Sequence, residues 1–424
     1  MLDIHYIRAH KATVIQGLQK KQFKDAEATV AQLLAIDEQR RATQLSLDNA
    51  SAEMNQYSKQ IGQLMQAGKQ EEAMNARDQT TTLKASIKTM SQELQAHEVA
   101  LQKALYEVPN LPHAEVPEGK EAADNVVVYQ SQEVDSTDKD LLSHWELAKK
   151  YNLIDFELGN KLTGAGFPVY RGQGAQLQRA LINFFLEEAR QAGYEEIQPP
   201  IVVNEASAYG TGQLPDKEGQ MYQLKDEDFY LIPTAEVPLT NLYRGDILSE
   251  KDLPIKHVAY TPCFRREAGS WGSHVRGLNR LHQFDKVEIV QISTPAHSYE
   301  ALQAMRAYVQ QLLEKLELPY RVLNLCGGDL SFTAALTYDL EVWSAGQQRW
   351  LEVSSISNFE TYQAHRLQLR YRDEHNKIHL LHTLNGSAIA LPRIVASLLE
   401  NNQTDKGIRV PTALQPYTGF ELIC

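Results

Sequence analysis

Thr261-Pro-Cys-Phe-Arg-Arg-Glu-Ala-Gly-Ser-Trp-Gly-Ser-His-Val-Arg-Gly-Leu-Asn-Arg-Leu-His-Gln-Phe-Asp-Lys-Val-Glu-Ile-Val290 is the stretch on which the reading of this chain turns. Both ends have strand character and the middle is rich in glycine and serine, so it predicts two strands joined by a loop. Period two then puts Arg265 and Glu267 on one face of the first strand, with Arg266 on the other. On the second strand, Arg280, Phe284 and Glu288 share a face. That surface combines guanidiniums, carboxylates and one aromatic plate. Strand faces rarely carry so many charges unless the charges bind each other or a ligand, because an unpaired buried charge is costly. A guanidinium can grip a phosphate bidentately, a flat ring can stack on a base, and a carboxylate accepts from an exocyclic amine or an ammonium. A surface hairpin laced with salt bridges is the competing reading of the same spacing.

Working outward, strand-like runs occur at Val126–Tyr129, Lys256–Phe264, Gln283–Val290, Arg349–Val353 and Ile378–Leu384. Amphipathic helices are expected at Gln176–Gln191, Ser298–Leu316 and Ile394–Asn402. Strands and helices do not alternate regularly, so the expected class is α+β with an antiparallel sheet and flanking helices. Neither G-x-x-x-x-G-K-[ST] nor G-x-G-x-x-G occurs, which removes the P-loop and Rossmann nucleotide sites.

The N-terminal part is different in kind. Residues 26–107 hold no proline and only two glycines, Gly62 and Gly68. One series of alternating three- and four-residue steps runs Leu33, Ile36, Arg40, Thr43, Leu47, Ala50, Met54, Tyr57, Ile61, Leu64. A second runs Ala73, Ala76, Thr80, Leu83, Ile87, Met90, Leu94, His97, Leu101, Ala104. Gln66-Ala67-Gly68-Lys69-Gln70 separates them, so the region predicts an antiparallel helical hairpin, a coiled-coil arm. At 1.5 Å per residue, helices of ~40 residues reach about 60 Å, so the hairpin should project. With eight Lys/Arg against eleven Asp/Glu the arm is not a basic rod. Lys59, Lys69, Arg77, Lys84 and Lys88 lie toward its distal half and are candidate phosphate contacts, although a solvated face accounts for them as well, and the arm itself could instead dimerise or space other parts. Three prolines between Glu107 and Gly119 mark a linker, giving an arm at 1–107, a linker at 108–120 and a second domain at 121–424.

Composition narrows the function classes. Forty-two Lys+Arg against 54 Asp+Glu give a net charge of −12, which argues against non-specific polyanion binding, and no DNA partner is expected. Apolar runs are strand-sized, so no membrane span is expected, and the N-terminus lacks a secretory pattern. Cys263, Cys326 and Cys424 are scattered and odd in number, fitting neither a disulfide framework nor a zinc cluster, so a reducing, cytoplasmic setting is expected.

Phe264-Arg265-Arg266-Glu267, the loop after it and Arg280-Leu-His-Gln-Phe284 closely resemble motif 2 of the class II aminoacyl-tRNA synthetases, in the form found in the seryl-tRNA synthetase family. The helical arm, Thr234-Ala-Glu236, Glu352-Val-Ser-Ser355 and Asn385-Gly-Ser387 follow in that family's order, so the resemblance spans essentially the whole chain. It implies a six- to seven-stranded antiparallel catalytic sheet. It further implies ATP-dependent attachment of L-serine to tRNA(Ser) through a seryl-adenylate, with selenocysteine tRNA as a second candidate acceptor.

By that resemblance Arg265 holds the α-phosphate and later the adenylate, Glu267 accepts from the adenine amino group and Phe284 stacks under the ring. Arg266 lies in the same motif. Thr234, Ala235 and Glu236 belong to the amino-acid pocket, where Glu288, Asn385 and Ser387 join Arg265 around the serine ammonium and hydroxyl. Glu352, Val353, Ser354 and Ser355 fall at the ATP phosphates, with Glu352 and Ser355 as donors to Mg²⁺. Motif 3 reads Gly386-Ser-Ala-Ile-Ala-Leu-Pro-Arg393, and Arg393 is expected at the γ-phosphate. Ala388 and Pro392 stand where many members have glycine, and Pro392 suits the first turn of the following helix. Motif 1 is Gly193-Tyr-Glu-Glu-Ile-Gln-Pro-Pro200, which in the family belongs to a homodimer interface. Two rivals remain at this stage: a paralogue that loads a small amino acid onto a carrier protein, and a non-catalytic tRNA-binding scaffold.

Overall fold

The computed structural model describes residues 1–134, 141–267 and 276–424, so the middle of the loop quoted above, 268–275, lies outside the described residues. The chain divides into two compact units, one of residues 2–19 and 23–109, the other of Met1, 20–22 and 110–424.

The first unit is helical throughout. Two short helices, α1 (Ile4–Ala9) and α2 (Lys11–Lys20), precede the long α3 (Ala26–Gln66) and α4 (Gln70–Tyr106). The short pair has no counterpart in the sequence reading. Along the hairpin, every residue of the two heptad series, from Leu33 to Leu64 and from Ala73 to Ala104, is at least partly withdrawn from solvent. The turn is a Schellman motif: Lys69 N–H donates to Leu64 O at 3.0 Å, Gly68 N–H to Met65 O at 3.3 Å, and Gly68 sits at φ +74°. Arg40 occupies a seam position because it has a partner there. It bonds the fully buried Asp37 at 2.9 Å, as do Arg8 at 2.6 Å and Arg41 at 3.0 Å. Burial pushes the Asp37 carboxyl up, but the three guanidiniums outweigh it and hold the group below the ordinary carboxylate range.

The second unit is built on an eight-stranded sheet. Its strands are β1 (Val126–Gln130), β2 (Glu195–Glu196), β3 (Ile255–Phe264), β4 (Gln283–Ser293), β5 (Tyr320–Asn324), β6 (Leu336–Ser344), β7 (Arg349–Asn358) and β8 (His382–Ala390). Their order is β1-β5-β6-β7-β8-β4-β3-β2, antiparallel except that β2 runs parallel to β3. The sheet is thus wider than the six or seven strands implied by the resemblance, with short or solvent-exposed strands at its edges. Alternation along β4 decides the layering. Val287 and Ile289 enter the main core with Leu302, Met305 and Val309 of a helix at Ser298–Lys315, while Phe284, Lys286 and Glu288 point to the opposite face. The run Ile378–Leu384, read as one strand, divides at the buried Leu381. Ile378–Leu380 joins a small three-stranded sheet and His382 begins β8.

Candidate active site

The face of the sheet turned away from the helix Ser298–Lys315 carries a cavity of about 540 Å³. Arg265, Glu267, Arg280, Phe284, Thr234, Glu236, Glu352, Val353, Ser354, Ser355, Asn385, Ser387 and Arg393 all line it. The structure therefore brings together most of the residues selected from sequence, though not always as strand parity foresaw.

Arg265 and Glu267 do not extend the first strand, and Arg280 does not belong to the second. β3 ends at Phe264 and β4 begins at Gln283. Glu267 adopts φ +48°, outside strand geometry. The backbone donors that a continued ladder would use are taken by a neighbouring segment instead: Arg266 N–H donates to Gln220 O at 2.9 Å and Glu267 N–H to Gln220 Oε1 at 3.1 Å. Arg265 stays in register because its N–H donates to His282 O at 2.9 Å and its carbonyl accepts from His282 Nδ1 at 3.1 Å. Its guanidinium carbon then lies 5.3 Å from the Phe284 ring centroid and Nε donates to Pro233 O at 3.4 Å. Glu267 is ion-paired with Arg280 at 2.7 Å. Arg266 is not among the cavity-lining residues.

Thr234 and Glu236 reach the cavity from a different segment. They lie on a turn into a short helix, Glu236–Asn241, where Thr234 Oγ1 accepts from the Glu236 N–H at 3.2 Å. Ala235 is fully buried behind them. Glu236 Oε1 accepts from Gln363 at 2.7 Å and Oε2 from Asn385 at 3.0 Å. Glu288, fully buried, lies beneath the cavity rather than on its wall. It bonds Asn385 at 2.9 Å and Ser387 at 3.4 Å and pairs with Lys286 at 2.5 Å. Lys286 also donates to Thr234 Oγ1 at 2.9 Å. Burial, then the neighbouring Glu288, pushes the Glu236 carboxyl up to about 7, and Gln363, Lys286 and Arg265 pull against that rise.

Sequence reasoning overlooked Lys286, which lines the cavity, although it shares parity with Phe284 and Glu288 and was within reach of that argument. It also overlooked Gln363 and Gln220. They come from separate segments and carry no local signal.

Toward the other end of the cavity, Arg393 Nη1 donates to Glu352 O at 2.6 Å and its Nε to Asn279 O at 3.2 Å, with the Glu352 carboxylate 3.4 Å away. Glu352 and Ser355 are three residues apart and would face opposite ways on a regular strand. A one-residue slip in the β6–β7 register, between Leu340↔Ser354 and Glu341↔Glu352, sets both on the cavity wall. A second bulge shapes motif 3. Ala388 and Ile389 intervene where Lys286 pairs with Ala390 and Glu288 with Ser387, and Ile389 sits at φ +89°, which is strained for a β-branched residue. Past it, Pro392 enters the first turn of the helix Leu391–Asn401 and aims Arg393 at the cavity.

On the hairpin, Lys59, Lys69, Arg77, Lys84 and Lys88 are all exposed, and Lys69 pairs with Glu72 at 2.9 Å. Among the described residues no helix is long and apolar enough to cross a membrane, and no group of three or more His, Cys, Asp or Glu is arranged to hold a metal.

Residues 221–402 match the tRNA synthetase class II core domain (G, H, P, S and T), so the sheet and its cavity are those of a class II aminoacyl-tRNA synthetase. Residues 1–112 match the seryl-tRNA synthetase N-terminal domain. Among curated proteins, the serine–tRNA ligase of Salinibacter ruber is 51% identical over 425 residues, covering 100% of this chain and 99% of that protein. Among solved structures, seryl-tRNA synthetase from Pyrococcus horikoshii complexed with ATP superposes with a TM-score of 0.92 at 32% identity, covering 100% of this chain and 99% of that one. The cytoplasmic serine–tRNA ligase of Naegleria fowleri in complex with AMP gives 0.88 at 26% identity, with 100% and 98% covered. The chain belongs to the seryl-tRNA synthetase family.

Proposed function

We infer that this chain is a serine–tRNA ligase, activating L-serine with ATP and transferring it to tRNA(Ser). The observation that carries the reading is one cavity that gathers two chemically distinct sets of groups: Glu236, above the buried Glu288, suited to an ammonium, and Phe284 and Arg393, which offer a stacking plate and a cation to a nucleotide, with the Arg265 guanidinium acting on Glu236 and lying over Phe284. Full-length relatives that bear this activity support it.

In the first step a serine carboxylate oxygen attacks the α-phosphorus of ATP, the bond to the β-phosphate bridging oxygen breaks and pyrophosphate leaves. In the second, a terminal ribose hydroxyl of tRNA attacks the acyl carbon, AMP departs with the bonding pair and the hydroxyl proton is lost to solvent. No protein nucleophile is needed. Arg265 binds the α-phosphate and Arg393 the γ-phosphate, so their fixed charge faces the oxygens on which negative charge develops. Phe284 and Glu267 hold adenine, and Arg280 keeps the Glu267 carboxylate oriented. Thr234, Glu236 and Asn385 orient the serine ammonium, while Glu288 and Ser387 form the polar floor that its hydroxyl reaches. A pocket built around that hydroxyl rejects alanine by ~10⁴-fold, because its polar groups would lose a partner.

The donor set also fits Mg²⁺. Glu352 and Ser355 are hard oxygen donors on the same wall, and Glu352 is half-exposed, which suits an ion that keeps waters and takes phosphate oxygens. When bound, Mg²⁺ would neutralise charge on the ATP phosphates. The exposed arm residues Lys59, Lys69, Arg77, Lys84 and Lys88 are the proposed tRNA contacts, following A-form shape without reading bases. Assembly as a homodimer and serylation of selenocysteine tRNA belong to the same proposal.

Serine-dependent exchange of pyrophosphate into ATP, measured across the standard amino acids and followed by charging of tRNA(Ser), tests the reading. Exchange with serine and charging are expected. Exchange without charging points to the carrier-protein paralogue, and no exchange with any amino acid points to the scaffold.

A further inference from the structure

A buried histidine far from the cavity in sequence holds one of its walls. His144 opens the helix His144–Lys150 and is wholly buried. Its Nε2 accepts from the Leu278 N–H at 2.8 Å, which requires the proton to sit on Nδ1, and Nδ1 lies 2.7 Å from Glu400 Oε1. The carboxylate also accepts from the His144 backbone N–H at 2.9 Å and the Gly346 N–H at 3.1 Å, and from the Ser344 hydroxyl. Burial raises the Glu400 carboxyl, but these donors outweigh it and hold the group below the ordinary carboxylate range. Leu278 begins the returning leg of motif 2, and the leg is shaped around the imidazole. Gly277 has φ +68°, and a Cβ there would lie 2.2 Å from His144 Nε2.

Glu400 and Arg393 belong to the same helix, Leu391–Asn401, seven residues or about 10 Å apart. Arg393 bonds Asn279 O at 3.2 Å, and Glu400 reaches Leu278 through His144. Gln347 adds a third tie, accepting from Asn279 Nδ2 at 2.8 Å and donating to Glu400 at 3.2 Å. One helix therefore fastens two adjacent residues of the leg at two points, and the next residue, Arg280, is the one paired with Glu267.

We propose that His144, oriented by Glu400, is a positioning residue for the nucleotide half of the site: it locks Leu278–Asn279 so that Arg280–Glu267 and Arg393 are preset for ATP. The proposal rests on the serine-activation reading above. It makes a selective claim, since Glu236 is held by Gln363 and Asn385 and Thr234 by Lys286, and among the described residues none of these bonds His144.

The test is pyrophosphate exchange with His144→Asn and His144→Gln in the full chain. Asparagine keeps an N–H near Nδ1 for Glu400 but has no acceptor at Nε2, whereas glutamine can place an oxygen there for Leu278. His144→Asn should raise KM for ATP about fivefold to tenfold, the size of a lost hydrogen bond or two, with KM for serine changed by less than about twofold. His144→Gln should restore most of that loss. Equal shifts in both KM values, identical behaviour of the two variants, or a lowered Tm with unchanged kinetics would overturn the proposal. Should His144→Asn not fold, Gln347→Ala must show the same ATP-selective rise, and unaltered kinetics in that variant overturns it. Wild-type protein without serine-dependent exchange would instead defeat the underlying reading.

Discussion

Glu236 and Glu288 take hydrogen bonds from the same atom, Asn385 Nδ2, at 3.0 and 2.9 Å. Two buried carboxylates at that spacing repel, and the fold tolerates them because Lys286 adds a cation on one side and Gln363 a neutral donor on the other. On the proposed function, a substrate ammonium would complete what these groups leave partly compensated.

Removing the shared donor should therefore be felt at one end of the cavity. Asn385→Ala is expected to destabilise the fold by about 1–3 kcal/mol, the cost of buried acceptors left without their donor. Denaturant unfolding measures that cost. Exchange kinetics should show a higher KM for serine with KM for ATP little changed, and a matching rise for ATP would mean that the amide does not serve the amino-acid pocket.

Serine binding should release a proton. With the Glu236 carboxyl raised to about 7, the group is partly protonated just below neutrality, and an arriving ammonium favours its charged form. Titration calorimetry at about pH 6.5 in buffers of different ionisation enthalpy should detect release, fading by about pH 8, and serine affinity should weaken as pH falls through 7. The stability sign is also set: the folded value lies above the ordinary 4.5, so this group's contribution diminishes as pH rises from 4.5 toward 7. Glu236→Gln should abolish both effects.

Lys286 and Glu288 form a buried pair, so breaking it from either side should differ from replacing it. Lys286→Met is expected to cost about 3–5 kcal/mol by stranding the Glu288 charge, and a second change, Glu288→Gln, should recover part of the loss. Glu288→Gln alone should abolish serine-dependent exchange while ATP binding, followed by titration, survives. Equal loss of both ligands would remove Glu288 from the serine pocket.

At the nucleotide end, Phe284→Leu should raise KM for ATP and leave serine unaffected. Arg265→Lys, which keeps charge but loses the planar fork over the ring, should slow exchange by about 10²–10³-fold. A mere change in KM after Arg265→Lys would place that guanidinium outside the transition state.

Glu352→Gln should raise the Mg²⁺ concentration for half-maximal exchange by about tenfold or more. An unchanged metal dependence would show that the ion is held by the phosphates without this carboxylate.

How much of this could be read in advance follows from the range of the interactions. The two seams of α3 and α4 were legible residue by residue, because a heptad series is a property of one helix and its facing partner. β3, β4 and the helix beginning near Pro392 were legible for the same reason. Parity failed at Arg265–Glu267, where the chain leaves the strand and period two no longer applies. The bulge that turns Glu352 and Ser355 to one wall has no local signature, and neither does the slip that places Ile389 at positive φ.

Taken by itself, the sequence determined the helical hairpin, the strands β1, β3, β4 and β7 and the set of charged residues available for a site, since these depend on backbone periodicity and side-chain chemistry, whereas β2, β5 and β6 of the same sheet went unread. Only the tertiary structure decided which carboxylates became neighbours, that Lys286 and Gln363 would attend them, and that His144 would reach Leu278 across the fold. Those outcomes rest on electrostatics and hydrogen bonds acting over a few ångströms in a low-dielectric interior, between residues that the chain keeps far apart.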